Sequence, residues 1–216
     1  MILIGITGPS GSGKTTICEA FKKDNCTVHE LDKIAKKYYR QTAFKLESAF
    51  GEEVVGSDGT VDTKALGKIV FSDKNKLKIL NDIIFPVIWD EYVREYFTMS
   101  ALPEYRNHGI AVIFDAPVLF ETSWWPGLDY IFFIDAPRDV RIARLLKRGV
   151  SQEIVEKQAD AFNYGNVHLR KQDISINNID GSAAEKIGPW LNEVRKWDED
   201  CDEGYTGWTN LEIPKA

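Results

Sequence analysis

The sequence predicts an α/β fold, a parallel five-stranded sheet covered by helices on both faces, with a helical insertion and a lid. Three observations predict it. Continuous apolar runs recur along the chain with helix-like stretches between them, as expected of strands buried on both faces of a parallel sheet. The first run leads directly into a glycine-rich turn and then a helix. Residues 32–99 are too long for a simple crossover and have a Lys-rich, helical texture of their own.

Taken in order, Met1–Ile6 reads as a buried strand and Thr16–Phe21 as the start of a helix. Cys26–His29 is a short second strand. Between Asp32 and Met99 one turn signal interrupts the helical pattern, Gly56-Ser57-Asp58-Gly59. Leu77, Leu80, Ile84, Val87 and Ile88 keep near-helical spacing, and Pro86 is expected to kink or restart that helix. Gly109–Phe114 and Tyr130–Ile134 are strong strands, and Ile174–Ile176 is a brief one. Arg138–Arg148 is an amphipathic helix expected to turn Val140, Ala143 and Leu146 inward and to leave Arg141 at the surface. The polar stretch Ser151–Gln172 is expected to form a lid. The tail, Trp197–Ala216, starts acidic and carries Trp197, Tyr205 and Trp208; it either packs back or stays partly disordered. The expected division is a core of residues 1–31 and 100–216, with the lid at about 138–172, and an insertion of residues 32–99.

Composition narrows the class. Hydrophobic residues make up 44% and charged residues 28%, which fits a globular chain with a sizeable core. A net charge of −6 argues against a sequence-independent hold on nucleic acid, while leaving local basic clusters for small phosphorylated ligands. No apolar run reaches the length of a membrane span. Cys18, Cys26 and Cys201 have no CxxC spacing and are odd in number, so they read as free thiols of a reducing, cytoplasmic compartment. Met1 leads straight into the first strand, so no signal peptide is expected. His29, His108 and His168 are widely spaced and form no metal pattern.

Gly8-Pro9-Ser10-Gly11-Ser12-Gly13-Lys14-Thr15 matches G-x-x-x-x-G-K-[ST] at every fixed position, between a strand and a helix. Its glycines let backbone N–H groups converge on a phosphate, and the N-terminus of the helix that starts at Thr16 adds its partial positive charge. Lys14 can reach β- and γ-phosphates and the Thr15 hydroxyl can ligate Mg²⁺, so ATP with Mg²⁺ is the expected ligand. A Gly/Ser-rich turn that binds nothing is the bland alternative.

Further motifs follow in order. Val28-His29-Glu30-Leu31-Asp32-Lys33-Ile34-Ala35 comes first, then Phe50-Gly51, Asp58–Asp62 and Ile69–Phe71, then Pro117-Val118-Leu119-Phe120-Glu121, then Gln172–Asn178. With the phosphate loop they resemble the dephospho-coenzyme A kinase family from Met1 to about Gly181. The resemblance implies a P-loop, nucleoside-kinase-like fold that phosphorylates the ribose 3′-hydroxyl of dephospho-CoA with ATP. The chain departs from the family pattern where Glu30 replaces the first Asp, Phe85-Pro86 replaces His-Pro, Phe162 replaces a Gln, and an expected Arg soon after is absent. Those positions belong to the substrate lobe and lid. A (deoxy)nucleoside monophosphate kinase of the same architecture is therefore a second reading, and a nucleotide-binding regulatory protein a third. No N-K-x-D guanine-reading motif is present.

Asp32 follows the second strand, where a carboxylate can orient an acceptor hydroxyl and take its proton; the resemblance implies a base here, and an N-cap is the alternative. Glu30 either shares the acceptor or is a surface carboxylate. Asp115 ends an apolar strand, the place of a Walker-B-like acid that holds Mg²⁺ directly or through water; a strand-end turn former is the alternative. Pro117 and Glu121 are acceptor-side candidates, Glu121 equally a salt-bridge partner. Arg144 and Arg148 share one helix face, and the resemblance implies that Arg144 reaches phosphates and Arg148 lies near adenine; a solvated helix face is the alternative. Asn178 is either an adenine-edge reader, as the resemblance implies, or a strand-end turn residue. Phe85, Phe162 and Trp124-Trp125 are read as packing residues. Catalytic roles thus fall to Lys14, Asp32 and Arg144.

Overall fold

The computed structural model describes residues 2–70, 73–100, 111–121, 125–162 and 164–200. Gly109, Ile110, His108, Trp124, Cys201, Tyr205 and Trp208 lie outside them. The strands are β1 (Ile2–Thr7), β2 (Thr27–Glu30), β3 (Ala111–Asp115), β4 (Tyr130–Asp135) and β5 (Ile174–Asn177). The helices are α1 (Lys14–Lys23), α2 (Leu31–Phe50), α3 (Thr63–Val70), α4 (Lys74–Ser100), α5 (Arg138–Lys147), α6 (Gln152–Asp160) and α7 (Ile187–Asp200). The chain divides into two compact units, one of residues 1–29, 100–120 and 127–216, the other of 30–99 and 121–126.

The strands form one parallel five-stranded sheet in the order β2-β3-β1-β4-β5. β1 is central, with Ile4 opposite Ile113 of β3 and Tyr130 of β4. All six of its residues are buried, which explains its unbroken apolar run. On one face, Ile4, Ile6, Phe132, Ile134, Ile174 and Ile176 pack with Ile17, Cys18 and Phe21 of α1 and with Ile187, Trp190 and Leu191 of α7. Trp190 meets Tyr130 and Phe132 edge-on, at centroid distances of 5.5 and 5.0 Å, a geometry that aligns ring edges with ring faces. On the other face, Gly5 lets the side chains of Leu119 and Leu128 close over β1.

The first unit corrects the reading of α5. Arg141 and Leu145 are the buried residues of this helix, while Ala143 and Leu146 are exposed and Val140 is half-buried. Arg141 is therefore an interior residue, not a surface one. An arginine stem packs like an aliphatic chain, and apolar patterning alone passes over it. α5 and α6 pack together through Leu145, Val155 and Ala159. Arg138 joins their ends by donating to both carboxylate oxygens of Asp160, at 2.8 and 2.7 Å.

In the second unit, Leu46, Phe50, Val54, Leu66 and Val70 are buried. The Gly56–Gly59 turn closes with a 2.8 Å bond from Gly59 N to Gly56 O, beneath a bridge between Val55 and Val61. α4 runs through Pro86 without restarting. Leu80, Ile84, Phe85 and Ile88 are buried apolar side chains of this helix, which supports the packing reading of Phe85. Packing of this stripe outweighs the backbone hydrogen bond that proline removes. Among the described residues, no helix is long and apolar enough to cross a membrane.

Candidate active site

β1 delivers the phosphate loop at the carboxyl edge of the sheet, where open α/β sheets place their ligands. Gly8 has φ of +140°, and a Cβ there would stand 1.9 Å from the carbonyl oxygen of Ile134. The turn therefore needs glycine on both steric counts. Gly8→Ala is expected to lose about 3 kcal/mol or more of stability, read by urea denaturation, because backbone atoms of β4 must move. A loss under about 1 kcal/mol would contradict this geometry.

Gly13 caps α1 with no side-chain hydrogen bond, and the first turn holds no acidic residue. A helix end of this kind carries partial positive charge. Lys14 arches back over the loop, its Nζ donating to Gly8 O at 2.7 Å and Pro9 O at 2.9 Å. Ser10, Thr15 and Thr16 are exposed, while Gly11, Ser12 and Gly13 are buried. Asp115, the last residue of β3, stands in register with Ile6, two residues before the loop begins. Thr7 Oγ1 donates to Pro117 O at 3.2 Å, tying the segment after β3 to the entrance of the loop.

β5 and α5 brace the loop from the other side. Asn178 Nδ2 donates to Ser12 O at 2.9 Å, and Asn178 Oδ1 accepts from Ala183 N at 3.4 Å. Arg144 Nη1 reaches Gly11 O and Ser12 O, each at 3.3 Å, and Nη2 donates to Asn178 O at 2.8 Å and Ile179 O at 3.1 Å. Arg144 and Asn178 are thereby brought onto the loop itself. Arg148 is the exposed C-cap of α5.

Asp32 is the second residue of α2, and Glu30 occupies the N-cap position, so an N-cap role for Asp32 does not apply. A carboxylate in the first turn is favoured by the positive helix end. Glu30 pairs with Lys33 at 2.6 Å in an exposed position. Glu121 closes the short 3₁₀ turn Leu119–Glu121. Among the described residues, no group of three or more His, Cys, Asp or Glu forms a metal cage.

A cavity of about 390 Å³ beside β4 and β5 escaped the sequence reading. Asp135, Arg138, Arg141, Tyr164 and Asn177 line it. Tyr164 donates to Asp135 Oδ1 at 3.0 Å; burial first, and then this bond, push its hydroxyl up to about 12. Phe162 packs on Phe133 and Tyr164 at 5.8 and 5.1 Å, which supports its reading as a packing residue. The signal in the sequence was the run Phe162-Asn163-Tyr164, two aromatics in an otherwise polar stretch.

A sequence model of the dephospho-CoA kinase family matches residues 2–185, which spans β1 through the turn after β5. The chain belongs to the dephospho-CoA kinase family. It is similar to a dephospho-CoA kinase of Dehalococcoides mccartyi, 35% identical over 182 residues, covering 82% of this chain and 89% of that protein. It is also similar to one from Fusobacterium nucleatum subsp. nucleatum, 30% identical over 181 residues, covering 82% and 90%. Among solved structures, TT1252 from Thermus thermophilus superposes with a TM-score of 0.63 at 27% identity, covering 94% of this chain and 98% of that one. The dephospho-CoA kinase from Campylobacter jejuni shares the fold with a TM-score of 0.50 at 20% identity, covering 90% and 97%. The motifs quoted from Gly8 to Asn178 all fall inside the residues that the family model matches.

Proposed function

We propose that this chain transfers the γ-phosphoryl group of ATP to the ribose 3′-hydroxyl of dephospho-CoA, giving CoA and ADP. The observation that carries the reading is the match of residues 2–185 to the dephospho-CoA kinase family together with an intact phosphate loop. The 3′-oxygen attacks the γ-phosphorus, the bond to the β,γ-bridging oxygen breaks, and the hydroxyl proton passes to the Asp32 carboxylate.

The loop amides and Lys14 bind the β- and γ-phosphates and stabilise the charge that moves towards the leaving oxygen. Arg144, which bonds the loop carbonyls of Gly11 and Ser12, is assigned to the same charge. Arg148 and the turn at Asn178 are assigned to the adenine end, and Glu30, Pro117 and Glu121 to the acceptor side. Thr15 and Asp115 would hold Mg²⁺, a hard cation that takes one or two protein oxygens and completes its shell with substrate phosphates and water. The residues fit: an exposed hydroxyl opens α1, and a carboxylate ends the strand beside β1. When bound, the ion neutralises phosphate charge. Cys18 and Cys26 are buried, and their lack of CxxC spacing is what supports a reducing, cytoplasmic setting.

The deciding experiment incubates the protein with Mg-ATP and dephospho-CoA, and separately with each nucleoside monophosphate. The expected result is CoA as the main product. Turnover of a nucleotide with none of dephospho-CoA would move the chain to the nucleoside monophosphate kinase reading, and ATP binding without any turnover to the regulatory one.

A further inference from the structure

Arg141 is 4% exposed, although it lies on a helix whose flanking residues 138, 139 and 143 are exposed. A guanidinium removed from water needs acceptors for its N–H groups, or burial is heavily penalised. Its acceptors come from two different elements. Nε donates to Ala136 O at 2.9 Å, in the turn between β4 and α5, and Nη1 donates to Ala159 O in the last turn of α6. The Asp135 carboxylate lies 3.9 Å from Nε. Carbonyls at a helix C-terminus carry partial negative charge, so a cation suits this end of α6.

The backbone of the same residue touches the phosphate loop. Gly11, with φ of +81°, lies so close that a Cβ would come within 2.6 Å of Arg141 O and 3.0 Å of its Cα. One turn further along α5, Arg144 reaches Gly11 O and Ser12 O. α5 is therefore pressed onto the loop at Arg141 and fastened to it at Arg144. The Arg141 side chain fastens the helix to the β4–α5 turn and to α6.

We propose that Arg141 is a positioning residue for phosphoryl transfer: its buried guanidinium fixes the start of α5 against the end of α6 and so sets where Arg144 meets the phosphate loop. This rests on the reading of Arg144 as a group that serves the transferred phosphoryl. In this proposal Arg141 acts through Arg144. Its loss lets α5 shift or rotate on the loop, and displacements of about 1 Å at a reacting group can lower a rate about 10²-fold.

The test compares wild type with Arg141→Met, Arg144→Met and the double variant, all checked for fold by circular dichroism. Arg141→Met keeps the aliphatic stem and removes the donors. It is expected to lower kcat about 10- to 100-fold while KM for ATP changes less than about threefold. The double variant is expected to be no slower than Arg144→Met alone, because a residue acting through Arg144 then has nothing left to place. Losses that multiply, or a folded Arg141→Met within about twofold of wild type, would overturn the proposal. If Arg141→Met fails to fold, Arg141→Lys carries the same four-way comparison. If wild type leaves dephospho-CoA unphosphorylated, the proposed function fails, and the comparison is read on γ-phosphoryl transfer to water. A second arm uses the cavity beside Arg141, through which guanidinium ion can enter the space vacated in Arg141→Ala. Guanidinium chloride below denaturing concentration is expected to restore part of kcat, and sodium chloride at equal strength to restore none; equal effects of the two salts count against the proposal.

Discussion

Lys14→Ala is expected to lower kcat by about 10²- to 10³-fold, the cost of removing one preorganised charge partner from a developing anion. The ammonium group already stands over the loop, bonded to Gly8 O and Pro9 O at 2.7 and 2.9 Å. In the proposed function it meets a terminal phosphate beside the N-terminal end of α1. Those two bonds contribute only about 1 kcal/mol each to folding, so the variant should fold. Single-turnover transfer with saturating ATP separates chemistry from binding. Lys14→Arg should rescue little, since a planar fork cannot replace a compact point charge on a four-carbon stem. Near-normal kcat in folded Lys14→Ala would remove Lys14 from the chemistry.

Asp32→Asn is expected to slow phosphoryl transfer by about 10²- to 10⁴-fold, the usual worth of a positioned general base. The substitution keeps size and hydrogen-bonding capacity at the second position of α2 and removes the proton acceptor. ATP affinity should stay near that of wild type, because the phosphate loop and its braces at Arg144 and Asn178 belong to the other unit of the chain. Fluorescence titration with a nucleotide analogue measures affinity, and a coupled assay measures transfer. Unchanged turnover would contradict the base. Weakened ATP binding with unchanged chemistry would make Asp32 a binding group.

The sheet and the loop were legible because their causes are local. Six buried positions in β1 require an apolar run, and the turn after it requires Gly8. The interior of α5 was not legible in the same way. Val140, Ala143 and Leu146 look inward by apolar pattern, yet Arg141 and Leu145 are the buried pair. What makes Arg141 an interior residue is the pair of carbonyls that receive it, one in the preceding turn and one 18 residues on, and apolar patterning cannot announce such partners. Of the kink or restart expected at Pro86, the restart does not occur, because Ile84, Phe85 and Ile88 bury a stripe that carries α4 through it. The cavity beside Tyr164 depends on β4, β5, α5 and the segment after α6 meeting, and no single stretch of sequence encodes it.

The central place of β1 bears on the order in which this chain can mature. Its sheet neighbours are β3 and β4, and Leu3 N bonds to a carboxylate 126 residues later. In chain order the phosphate loop precedes residues 30–99 of the second unit, and the strands that flank β1 follow only after them. Contacts of such long separation form slowly and late. A nascent chain therefore carries the complete motif long before it can grip a nucleotide, and ATP can stabilise this protein only at the closing stage of its assembly.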